Sequence, residues 1–201
     1  MWEIIVAAGW PIWPLIIASV IALAIIGERA FVLRESAVAP ANLLPEVQAW
    51  LAKGSITADN LARLEQHSML GRLFASALSN TGHSREVMKE AVEEAGRAVA
   101  HDLERYLSTL GTIATVAPLL GLLGTVIGMV ELFGAFTSSG HDIAQFARGI
   151  SVALYNTAAG IVVAVPAMVA YRYFRSQVDD LLVGMEQQAI KLVEIIHGQR
   201  K

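Results

Sequence analysis

Residues 149–171 read GISVALYNTAAGIVVAVPAMVAY, a run of 23 without one charged side chain. About 20 apolar residues carry a helix across a hydrocarbon core of roughly 30 Å, so this run is long enough to span a bilayer. Two further runs pass the same test. Residues 106–130 read YLSTLGTIATVAPLLGLLGTVIGMV, 25 uncharged positions, and residues 4–27 read IIVAAGWPIWPLIIASVIALAIIG, another 24. In lipid only helices and closed barrels satisfy the backbone, and barrel strands of about 10 residues do not produce runs like these. The sequence therefore predicts an all-α integral membrane protein with three transmembrane helices, near 9–31, 108–136 and 146–173.

The rest of the composition agrees. Of 201 residues 55% are hydrophobic and 16% charged, and the mean hydropathy is +0.52. A disordered tail would carry far less apolar surface. The net charge of −3 leaves no excess of Lys and Arg to neutralise phosphates, so a nucleic-acid binder is excluded. There are no cysteines, hence no disulfides, thiolate nucleophiles or Cys-based metal sites. A cleaved signal peptide is the rival reading of the first run. Such signals begin with a basic segment and have a shorter apolar stretch, of about 7–15 residues. Here only Met1, Trp2 and Glu3 precede a much longer run.

Orientation follows from Lys and Arg near the span ends. None precedes the first span, and none lies in Thr137–Gln145 between the second and third. On the other side lie Arg29, Arg34, Lys89, Arg97, Arg105, Arg172, Arg175 and Lys191. The N-terminus and the short hairpin are expected outside, the long loop and the C-terminus inside.

The loop is expected to be helical. Pro40, Pro45 and Gly54-Ser55 divide its first half, a helix start falls around Thr57–Asn60, and Asn80-Thr81-Gly82 marks a turn. After Ser84, the residues Met88, Val92, Ala95, Val99, Leu103 and Tyr106 recur on one helical face. No breaker follows, so one continuous rod is predicted from about 84 to 136. Leu181, Met185, Ala189, Leu192 and Ile196 form a second stripe beyond the third span. A helix from 146 to 197 would be roughly 80 Å long. Its seam calls either for neighbouring copies or for docking on the loop helices of the same chain.

Small and polar residues punctuate the spans. Pro118, Gly121, Gly124, Thr125 and Gly128 lie in the second, and Gly149, Ala153, Thr157, Gly160 and Ala164 form a stripe in the third, which also holds Pro166. Small residues let helix backbones approach closely in lipid, so Pro118, Gly121, Gly124, Gly128, Gly149, Ala153, Gly160 and Pro166 are assigned to helix packing. Asn156, Thr157 and Thr125 sit near mid-depth. A threonine can bond its own backbone carbonyl one turn earlier, whereas the Asn156 amide needs an outside partner. It either bridges helices or faces a hydrated pathway. Glu131 is an acidic residue inside the second span. It either serves an outer vestibule or reaches the interface as a surface carboxylate.

Soluble-enzyme signals fail. Ser139, His141 and Asp142 have the residue types of a hydrolase triad, but neighbours in sequence cannot adopt its geometry. The stretch Gly121–Gly128 has the wrong spacing and no Lys for a phosphate loop. The five histidines are scattered. No catalytic residue, metal or cofactor is expected.

Three pieces of this sequence resemble the MotA/TolQ/ExbB proton channel family, and its ExbB/TolQ branch. They are the first span ending in Gly27-Glu28-Arg29-Ala30-Phe31, the run Leu110–Gly128, and the run Gly149–Ala167 followed by Tyr171–Phe174. The match is dense over 105–175 and extends to the remainder by topology. The resemblance implies a bacterial inner-membrane subunit with a periplasmic N-terminus (1–8), a cytoplasmic helical loop (32–107), a periplasmic turn (137–145) and a cytoplasmic C-terminal helix (174–201). It implies a pentameric ring around the single spans of an ExbD/TolR-like dimer, in which proton flow drives a TonB- or TolA-like protein. Thr125 and Thr157 match the threonines that line the partner-facing interior, and the ionisable Asp belongs to the partner. One position departs. The family usually carries Glu five residues before the second of these threonines, and here it is Val152. That favours a path relying on the partner's Asp and on hydroxyls, a substitute role for Glu131, or a divergent branch with another client. Two other readings stand beside this one: a non-conducting membrane scaffold, and a flagellar-type stator, which would need four spans and a differently placed loop.

Overall fold

In a computed structural model, residues 8–136 and 143–198 are described, and every regular element among them is helical. The chain runs α1 (Ile12–Val32), α2 (Glu35–Val38), α3 (Leu43–Lys53), α4 (Ala58–His67), α5 (Met69–Ser79), α6 (Arg85–Leu103), α7 (Leu107–Phe136) and α8 (Ile143–Ile196). Three helical stretches are long and apolar enough to cross a membrane, and only 22%, 28% and 33% of their most apolar windows are buried within the chain. The uncovered remainder is what a bilayer or neighbouring helices would cover.

The residues divide into two compact units. The first comprises the chain up to Glu28 and Tyr106–Tyr173. Its α1 starts late. Gly9 takes a left-handed φ of +74°, Trp10 and Pro11 turn, and Pro14 falls in the first turn, where a missing N–H leaves no helical bond unmade. In α7 the buried positions are Leu107, Leu110, Ala114, Ala117, Gly121, Gly124, Gly128 and Leu132, a single seam at steps of three and four. Leu15 of α1, Ala117 of α7 and Ala164 of α8 meet in the core of this unit, joined by Leu120, Ala159 and Val163.

The second unit comprises Arg29–Arg105 and Phe174–Lys201. Its short helices begin and end where local chemistry dictates. Thr57, Ser68 and Ser84 accept backbone N–H bonds from Asn60, Gly71 and Val87, capping α4, α5 and α6. Gly54 closes α3 at φ +62°. Pro45 breaks nothing, because it lies in the first turn of α3. At the start of α6 the Glu86 carboxyl is held below its usual range, first by a backbone N–H and then by the Ser84 hydroxyl. The stripe Leu181, Met185, Ala189 and Leu192 is buried within this unit, so the seam predicted along the last helix is filled by the chain itself.

The rod expected from 84 to 136 is interrupted. α6 ends at Leu103, residues 104–106 form a turn, and Tyr106 adopts φ +63° before α7 begins. A left-handed φ is costly for a residue bearing a Cβ and ends a right-handed helix locally. Tyr106 is accordingly exposed, off the buried face of Met88, Val92, Val99 and Leu103.

The break leaves the Leu103 carbonyl, at the end of α6, without a helical partner. Nη1 of Arg29, a side chain only 3% exposed, donates to the Leu103 carbonyl at 3.2 Å. Arg29→Met keeps the length of the stem and removes the donor. It is expected to cost about 1–3 kcal/mol, the penalty of an orphaned buried acceptor. The check is the thermal unfolding midpoint of the purified protein in detergent, expected to fall by several degrees.

Candidate functional site

The site lies where α7 crosses the first half of α8, inside the first unit. The crossing is close because three of the α7 seam positions have no side chain. A Cβ built on Gly121 would lie 2.8 Å from the Asn156 carbonyl oxygen, and one on Gly160 would lie 2.7 Å from the Ala117 carbonyl oxygen. A Cβ on Gly124 would lie 2.5 Å from that of Asn156, and one on Gly128 3.2 Å from the Ala153 amide. Real side chains are rarely or never accommodated at such distances, so the two helices touch main chain to main chain. Ala153 is buried on the same seam, and Gly149 makes room for the Leu132 side chain. Pro118 is half-buried in α7, whereas Pro166 lies on the exposed side of α8.

Contact at this range brings two hydroxyls together. The Thr125 and Thr157 oxygens are 2.5 Å apart. Thr125 Oγ1 also donates toward its own-helix Gly121 carbonyl at 3.2 Å and faces the Ala153 carbonyl of α8 at 3.4 Å. Thr157 Oγ1 lies 3.4 Å from the same Gly121 carbonyl. Each hydroxyl has one proton and two lone pairs, so the pair and its carbonyls form a cluster in which protons can be redistributed by rotation. Both threonines are half-buried, and exposed Leu122 and Leu154 flank them one turn earlier on their helices. The cluster is thus reachable from one side of the helix pair.

Asn156, next to Thr157, is wholly buried. Its Nδ2 donates to the Ala8 carbonyl at 2.8 Å and to the Val152 carbonyl one turn back at 2.9 Å. Of its two readings, the geometry favours the bridging one. Its Oδ1 has no partner among the described residues. Ala8 could not be foreseen as a member of the site, because a backbone carbonyl 148 positions away leaves no mark in the side-chain pattern. Glu131 is apart from the cluster, exposed in the last turns of α7. Among the described residues no group of His, Asp or Glu side chains could hold a metal ion. The hairpin residues Ser139, His141 and Asp142 fall outside the described residues.

What the arrangement can do is relay protons or receive a partner's polar group, with hydroxyls held in an apolar setting. The model of the MotA/TolQ/ExbB proton channel family matches residues 65–187, which contain all of α7 and the part of α8 that it crosses. The chain is 30% identical over 186 residues to the biopolymer transport protein exbB1 of Vibrio cholerae, covering 89% of this chain and 80% of that one. It is 36% identical over 106 residues to the biopolymer transport protein ExbB of Salmonella typhimurium, covering 50% and 43%. To the Tol-Pal system protein TolQ of Pseudomonas aeruginosa it is 34% identical over 116 residues, covering 55% and 50%. With three membrane-capable helices and these relatives, this chain is a multi-pass membrane protein and belongs to the MotA/TolQ/ExbB proton channel family.

Proposed function

We propose that the protein is the ring-forming subunit of an inner-membrane proton motor. About five copies surround the spans of an ExbD/TolR-like dimer, and proton flow at that boundary does mechanical work on a TonB- or TolA-like protein reaching across the periplasm. In this reading residues 1–8 and 137–145 face the periplasm, and 32–107 and 174–201 are cytoplasmic. Family membership supports the channel role. The observation that carries the reading is the paired Thr125 and Thr157 hydroxyls, half-buried and open on one side, at the two positions where hydroxyl-bearing walls would meet the partner. One charge crossing 100 mV releases about 2.3 kcal/mol, so repeated transfers along a moving boundary are needed for useful work. Val152 removes a carboxylate from the wall, which leaves the partner's acid and these hydroxyls as the route.

The test is reconstitution. The chain is co-purified with an ExbD/TolR-like protein that has one N-terminal span with a membrane Asp, and the complex is placed in liposomes loaded with a pH-sensitive dye. Proton uptake driven by a potassium-diffusion potential is expected with both proteins and an activating client, and absent with either alone. A silent but stably assembled complex would overturn the channel in favour of a scaffold, the second reading, which Val152 makes specific.

A further inference from the structure

We propose that Asn156 is a positioning residue: its bond to the Ala8 carbonyl fastens the segment before α1 onto α8, one residue from Thr157, and thereby holds the Thr125–Thr157 pair in register. The inference rests on the reading of that pair as the proton-bearing wall, and it deepens it by assigning a control point outside the wall.

Three observations converge on this residue. Asn156 is 0% exposed in an apolar helix, where an amide is expensive unless satisfied. Both protons of its Nδ2 are used, one on Val152 and one on Ala8, so the rotamer is fixed from two directions. Gly124 is bare where the Asn156 side chain lies, and a Cβ added to that glycine would fall 2.5 Å from Cβ and 2.6 Å from Cγ of the asparagine. The amide therefore occupies a slot that α7 leaves open for it. The next residue on each helix, Thr125 and Thr157, forms the hydroxyl pair. Gly124 against Asn156 and Thr125 against Thr157 are adjacent rungs of one crossing, so a shift of the first rung displaces the second. Gly9, at φ +74°, and the Trp10-Pro11 turn aim the Ala8 carbonyl into reach. The Oδ1 is buried and has no partner among the described residues, so the two Nδ2 bonds are the ones that hold the amide.

The chain has no cysteine, so a single Trp10→Cys change gives a unique labelling site at an exposed position beside the tether. A nitroxide there reports the mobility of the segment in the reconstituted complex. Asn156→Leu keeps the volume against Gly124 and removes the donor. It is expected to free the label and to lower proton flux per assembled complex about tenfold, the equivalent of one unpaired buried group. Asn156→Asp is the conservative arm. A protonated carboxyl donates one bond to Ala8 and an ionised one donates none, so its label should be held at acidic pH and freed at alkaline pH. Wild type should show a flat profile, because the surrounding Ala8, Gly121, Gly124 and Val152 do not titrate. An immobile label in Asn156→Leu, or equal loss at every pH in both variants, would overturn the tether. Thr125→Val and Thr157→Val run in parallel separate the two ideas. If they leave flux intact, the wall reading fails, while the label still decides whether Asn156 holds the segment.

Discussion

Valine at both Thr125 and Thr157 is expected to leave the helix crossing assembled and to reduce proton flux to that of empty liposomes. Valine has nearly the shape of threonine, so the close approach set by Gly121 and Gly160 persists. The loss in stability is small, since each intramolecular hydrogen bond contributes only about 0.5–1.5 kcal/mol net. What disappears is the whole hydroxyl cluster: the contact between the two oxygens and their bonds to the Gly121 and Ala153 carbonyls. Those carbonyls keep their helical N–H partners and are not orphaned, which keeps folding and conduction separable. Either single valine leaves one hydroxyl facing the Gly121 carbonyl and is expected to fall between wild type and the double variant. Serine at both positions retains the oxygens and should conduct. Flux is measured with the dye-loaded liposomes, normalised to complex recovered by size-exclusion chromatography. Full client-driven activity in the double valine variant would show that the pair is packing alone.

The parts of this arrangement that repeat at helical spacing are the parts the sequence displays. Gly121, Gly124 and Gly128 against Gly149, Ala153 and Gly160 is a pattern of small residues, and closeness of backbones follows from size alone. Caps at Thr57 and Ser84 are equally readable, because a short polar side chain before an apolar run has one low-energy use. The break at 104–106 is different. Arg105 and Tyr106 carry no glycine or proline signal, and neither residue type calls for the left-handed φ that Tyr106 adopts. Arg29 reads as a flanking charge at a span end, yet it is buried on a carbonyl that exists as an acceptor only because α6 stops at Leu103. Asn156 announces that a partner is required but not which one. The choice of the Ala8 carbonyl depends on Gly9 and Pro11 folding the chain back toward α8.

Gly160→Ala and Gly184→Ala, the same substitution in one helix, are expected to move stability in opposite directions. Around Gly184 nothing lies within 4 Å of a built Cβ, so alanine there meets only open space. Alanine exceeds glycine in helix propensity by about 0.8–1.0 kcal/mol, so Gly184→Ala should stabilise α8 by up to that amount. At Gly160 the same methyl would stand 2.7 Å from the Ala117 carbonyl oxygen and 3.1 Å from the Gly121 Cα, both main chain. Neither can rotate aside, so α7 and α8 must separate. Overpacking of this kind costs about 1–3 kcal/mol, which exceeds the propensity gain. The difference between the two variants in thermal midpoint in detergent should be several degrees, since 1 kcal/mol shifts a chain of this size by about 2–4 °C. The functional effect is larger than the thermal one. A small separation at Gly160 is transmitted to Thr157, one helical turn away, and takes the hydroxyls out of bonding range. Gly160→Ala should therefore lose flux in complexes that still assemble, whereas Gly184→Ala should conduct as wild type. Equal midpoints, with equal flux, would mean that the helices do not cross at this distance in the membrane.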